Sequence, residues 1–134
     1  MTNSLYRALG ITVDGHSKEL TTRNAQRLLT DSAIVIDTFD NSTSRQTVKD
    51  YCINSQTPCL HVGLASDYAE IIWNPIYRVP SAANDDICDY PLARNLVTLA
   101  VATACEVAID FVATAQQKSF TITLADFAIK PFNL

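Results

Sequence analysis

The chain has 134 residues, 48% apolar and 18% charged, with a formal net charge of −4 and a pI near 4.9. That is enough apolar material for one small domain with a buried core, too little charge for a disordered chain, and too acidic a balance for a broadly basic nucleic-acid-binding surface. Its three glycines, Gly10, Gly15 and Gly63, lie far apart, so neither common Gly-rich phosphate loop can be written, and a stand-alone Rossmann dehydrogenase or P-loop enzyme is excluded at motif level.

The first ten residues read as the end of a helix (Leu5, Arg7, Ala8, Leu9) closed by Gly10. ITVDGH reads as a short strand. LTTRNAQRLLT fits a helix capped by Thr21 or Thr22, with Leu20, Ala25, Leu28 and Leu29 on its apolar side. AIVID (residues 33–37) is a continuous apolar, β-branched run, the pattern of a strand buried on both faces of a parallel sheet. A helix follows, with Asp40, Asn41 and Ser42 available as caps and Val48, Tyr51 and Cys52 at helical spacing. PCLHVG (residues 58–63) is the next strand, so residues 33–63 read as a right-handed crossover unit.

YAEIIW (residues 68–73) is expected as a further strand, antiparallel to or outside the parallel set. Residues 74–91 carry Pro75, Pro80 and Pro91 and read as a long functional or mobile loop. Residues 92–115 form the longest predicted helix, apolar on most faces and therefore expected to be buried in its own core or against a partner. Arg94, Asn95, Glu106 and Asp110 make it too polar for a bilayer span, because a central charge costs roughly 2.5–3.5 kcal/mol there. SFTITLADFAI closes the chain as one strand.

The N-terminus has no apolar stretch of signal-peptide length. The four cysteines, Cys52, Cys59, Cys88 and Cys105, form no CxxC pair, and His16 and His61 offer none either, so no zinc site is expected. These features together read as a soluble, cytoplasmic protein with free thiols and no membrane partner. Cys52, Cys59 and Cys105 are expected in the core. His61 lies in an apolar strand and reads as a satisfied core histidine ahead of a catalytic base; His16 is expected in solvent. Trp73, Tyr68 and Tyr77 pack locally or face a partner. Arg78 and Arg94 flank the long loop, solvated or contacting a partner's tail.

DTFDNSTSR (residues 37–45) is the most specific feature. Two acids stand at the carboxyl end of a buried strand, the edge where doubly wound sheets bind ligands, and a helix N-terminus follows at once. That terminus attracts phosphate, and carboxylates beside it would hold Mg²⁺. Arg45 lies about one turn in, within reach of an anion. The alternative is that Asp40, Asn41 and Ser42 only cap the helix.

The order of strand, DxxDN, arginine, helix and next strand resembles the ThiF/MoeB/HesA family, bacterial relatives of ubiquitin-activating enzymes. YAEIIWNPIYRVP, the segment from Cys88 through the long helix, and TITLADFAI continue the likeness, which spans residues 20–129. The resemblance implies an α/β fold, a partial doubly wound sheet matching the family's second half, in one domain over residues 1–134. It implies activation of the C-terminal glycine of a ubiquitin-like or sulfur-carrier protein by Mg-ATP, giving an acyl-adenylate and pyrophosphate. Asp40 matches the motif aspartate associated with Mg²⁺ and the ATP phosphates. Asp37 and Asn41 join it as cofactor-binding candidates, and Arg45 as a catalytic one. Cys88 matches in position a family cysteine that links sulfur to the carrier, although Asp85, Asp86 and Asp89 around it oppose a lowered thiol pKa and favour an inert thiol.

The sequence departs from the family in two places. Upstream of Asp37 stand only 36 residues, without the Gly-rich loop, the acidic ribose-binding residue or the basic triphosphate-gripping residues. VPSAANDD stands where the first of the family's zinc-binding CxxC pairs would lie. The expectation is a ThiF-like chain or subunit unable to adenylate without a complementary nucleotide-binding half. The alternative is a non-catalytic dimerisation or protein-binding module, since family members usually form homodimers.

Overall fold

The computed structural model describes residues 10–84 and 94–132. In chain order these form α1 (Ala25–Leu29), β1 (Val35–Asp37), α2 (Ser42–Ser55), β2 (Cys59–Ala65), β3 (Tyr68–Trp73), a 3-10 turn (Ala82–Asn84), α3 (Arg94–Thr114), β4 (Phe120–Thr123) and β5 (Ala128–Pro131). The strands make one mixed sheet in the order β1-β2-β3-β4-β5. β1 and β2 are parallel, with Asp37 opposite His61. The other three pairings are antiparallel.

Strand periodicity divides the core in two. Leu60 and Val62 of β2 join Ala69, Ile71 and Trp73 of β3 and Ile122 of β4 on one face, against Leu96, Ala100, Ala104 and Val107 of α3. The next residues of β2 turn the other way: Cys59 packs with Val35 of β1 and with Val48 and Cys52 of α2. Each large aliphatic side chain so buried stabilises the fold by about 1.5–3 kcal/mol. The two longer helices therefore cover opposite faces, the arrangement of an α/β fold.

The crossover unit, the YAEIIW strand and the long helix lie where the sequence places them. Four details differ. No strand occurs at residues 11–16, which are exposed. The helix near residue 25 is a single turn beginning after Asn24, whose side chain accepts from the Thr21 N–H (2.8 Å) instead of being capped by Thr21 or Thr22. β1 is buried on one face only: Ile36 is 48% exposed, on the face where α3 packs over β2, β3 and β4. The closing segment is two strands, because Leu124–Phe127 reverse direction, with Phe127 at φ 52°.

The long helix is also less buried than expected. Its sheet-facing side is packed, while Val101, Cys105, Ile109 and Val112 form an exposed stripe on the opposite side, so Cys105 is no core thiol. Asn95–Thr114 is long and apolar enough to cross a membrane by length and composition, against the sequence expectation; its other side is packed on the sheet.

Candidate functional site

The site lies at the carboxyl end of the parallel pair, where β1 passes into α2. Asn41 has extended backbone and its Oδ1 accepts from the Ser44 N–H at 2.8 Å, satisfying one of the open donors of the first turn. The cap is therefore Asn41. Asp40 is left exposed, and its Oδ1 accepts from Asn41 Nδ2 at 3.3 Å. A carboxylate there sits at the positive end of a 14-residue helix.

Asp37 is the opposite case. It is 1% exposed and both oxygens are engaged: Oδ1 accepts from the Phe39 N–H (3.0 Å), while Oδ2 lies 2.6 Å from His61 Nδ1 and 3.5 Å from Arg45 Nη1. Arg45 is 7% exposed and directed inward, away from the start of α2. Its Nη1 donates to Tyr77 Oη (3.0 Å) and its Nη2 to the Val62 carbonyl (2.8 Å). Both residues, read from the sequence as ligand-facing candidates, are engaged with interior partners in the described structure. Asp37 and Arg45 are thus each other's partners in the interior, while Asp40 stays exposed.

His61 is fully buried and satisfied, as its apolar strand suggests. Its Nε2 lies 2.7 Å from Asn74 Oδ1, and Asn74 Nδ2 donates to the Lys49 carbonyl at 3.3 Å. The Tyr77 ring stacks on the imidazole at 3.8 Å and 10°. Lys49 Nζ donates to the Tyr77 carbonyl at 2.6 Å. Trp73 and Tyr77 pack locally, whereas Tyr68 and Arg78 are exposed. Among the described residues no buried side-chain nitrogen or oxygen lacks a partner.

Gly63 admits this cluster. A Cβ there would stand 3.1 Å from Glu70 Oε1 and 3.5 Å from Arg45 Nη2. Burial pushes the Glu70 carboxyl above its ordinary value, with Arg45 and His61 pulling it back. Burial likewise pushes the Tyr77 hydroxyl up to about 12, against the Arg45 charge and hydrogen bond. On the same face, a hydrogen bond with Cys52 pushes the Cys59 thiol up and lowers Cys52.

Asn74, Tyr77, Lys49 and Glu70 join this cluster without being candidates for it in the sequence, although YAEIIWNPIYRVP holds three of them. Asn74 sits directly after the β3 pattern, and that position next to a strand end is the only local sign of it. Cys88 and its neighbouring aspartates lie outside the described residues. No cluster of three or more metal-ligating side chains occurs among the described residues. Asp40 alone still fits Mg²⁺, which takes one or two carboxylates and completes its shell with water and substrate phosphates.

Comparison with known proteins identifies the fold and the family. The ThiF family matches residues 6–123. E. coli MccB with ATP is similar in structure, with a TM-score of 0.70 at 19% identity over 96% of this chain and 44% of that one. E. coli MccB with MccA-N7isoASN gives 0.71 at 15% identity, over 96% and 46%. PaaA gives 0.54 at 15% identity, over 86% and 46%. The chain thus spans under half the length of these structures, and no curated protein matches it in sequence. With the DxxDN corner built as described and the family matching most of its length, the chain belongs to the ThiF family.

Proposed function

We propose that this chain supplies the Asp40 side of an adenylation site and acts with a complementary nucleotide-binding half. The substrate is the C-terminus of a ubiquitin-like or sulfur-carrier protein. One observation supports this reading above the others: Asn41 caps α2 and Asp37 is engaged in the interior, while Asp40, bonded to Asn41 Nδ2, stays exposed at the helix N-terminus. Bound Mg-ATP supplies the electrophilic phosphorus and the cation. Asp40 would hold that cation, and the α2 N-terminus would favour the phosphate charge. The described residues include no Gly-rich cradle for the triphosphate, which is why the reading requires a second half.

The assay is ATP–pyrophosphate exchange with carrier protein. The chain alone is expected to give none, addition of the nucleotide-binding half to restore it, and Asp40→Ala to lower the restored rate at least about 100-fold. Retained exchange in Asp40→Ala would remove Asp40 from the mechanism.

The exposed stripe Val101–Cys105–Ile109–Val112 favours a second reading, a non-catalytic dimerisation or protein-binding module. Nucleotide binding that depends on Asp40 favours the first reading. A stable dimer without nucleotide binding favours the second.

A further inference from the structure

We propose that His61 and Asn74 are positioning residues for Asp40, an inference that rests on reading Asp40 as the ligand-facing carboxylate. Asp40 has no described contact with the interior. Its place is set by the turn between Asp37, the last residue of β1, and Asn41, the cap of α2. Asp37 holds that turn through the Phe39 N–H, and it can do so only while its carboxylate is fixed. His61 fixes it from β2 at 2.6 Å, Asn74 holds His61 at 2.7 Å, and the Lys49 carbonyl of α2 holds Asn74. The relay thus ties β1 to α2 by a path that does not pass through residues 38–41. Tyr77, stacked on His61 and held by Lys49 and Arg45, closes it on the remaining side.

Hydrogen-bond chemistry fixes the roles. Asn74 Nδ2 donates to a carbonyl, so Oδ1 is the atom turned to His61, and Nε2 must carry a proton to donate to it. The 2.6 Å contact between Nδ1 and Asp37 also needs one proton, which the pair shares. With Nε2 turned to the Asn74 amide oxygen and no exposed surface, His61 is not placed to reach a ligand. Its effect on Asp40 passes through Asp37.

The test uses the full chain labelled with nitrogen-15. His61 Nε2 is expected at a protonated shift in the wild type, and an unprotonated Nε2 would overturn the assignment without any variant. Asn74→Ala is expected to move the Nε2 signal and to lower protection of the Phe39 amide against hydrogen exchange at least tenfold. The Ile71 amide at the sheet centre should change less than threefold. Unchanged Phe39 protection, or loss in step with Ile71, would overturn the proposal, the latter because it marks general destabilisation. Asp40→Ala should leave both the His61 spectrum and Phe39 protection as they are. If exchange activity survives Asp40→Ala, the reading of Asp40 fails, while the Phe39 measurement still decides whether the relay holds the turn.

Discussion

Arg45 is a charged side chain with its guanidinium in the interior, held by Asp37, Tyr77 and the Val62 carbonyl. Removing one member of such a set strands the others without water. Arg45→Met is expected to destabilise the chain by about 3–5 kcal/mol in urea unfolding. Arg45→Lys should recover little, because one ammonium cannot reproduce the two-pronged donation. A loss below about 1 kcal/mol for Arg45→Met would contradict this description. Glu70 carries the opposite sign of effect. Its carboxyl is raised by burial, so the folded chain holds that proton more tightly than the unfolded chain. Its contribution is full below the ordinary glutamate value, about 4.3, and is lost as pH rises through the folded value. Glu70→Gln, which stays neutral, is therefore expected to raise the melting temperature at pH 7.5 and change it little at pH 4. An equal shift at both would show that charge is not the cause.

α3 is the element where packing and composition part. Its small residues Ala100 and Ala104 let it lie close on the sheet, while Val101, Ile109 and Val112 face outward at helical spacing. If self-association covers this stripe, the wild type sediments as a dimer at micromolar concentration, and Ile109→Lys gives a monomer with an unchanged melting temperature. A monomeric wild type would remove the dimer reading. The elements were legible where one local signal dominated: the β-branched run at residues 33–37, alternation at residues 68–73, the apolar length of α3. They were misread where long-range pairing decides. TITLADFAI looks like one strand because nothing in it forbids extension, yet the register of β4 with β5 requires the reversal at Leu124–Phe127. Ile36 belongs to a run suited to double burial, but its exposure is set by where the helix on its face packs, over β2, β3 and β4. DxxDN marks the turn from strand into helix, but not which of Asp40, Asn41 and Ser42 makes the cap. The inward turn of Arg45 and the roles of Asn74 and Tyr77 arise from contacts 13 to 32 residues apart, which no local pattern encodes.

At the scale of the whole molecule, a five-stranded mixed sheet is covered by helices on both faces, and among the described residues no strand pairs with the outer edge of β1, beside the corner that carries Asp40. The exposed carboxylate at this corner fits the proposal made above, in which a nucleotide-binding half acts together with this chain. The most direct measurement is mild purification of the natural protein, tagged at its own locus, followed by intact-mass analysis of everything that remains bound. The account expects a Gly-rich nucleotide-binding half, either as added mass on this polypeptide or as a second chain in fixed ratio. Recovery of the 14.7 kDa chain with only copies of itself would contradict it and leave DxxDN as a helix cap.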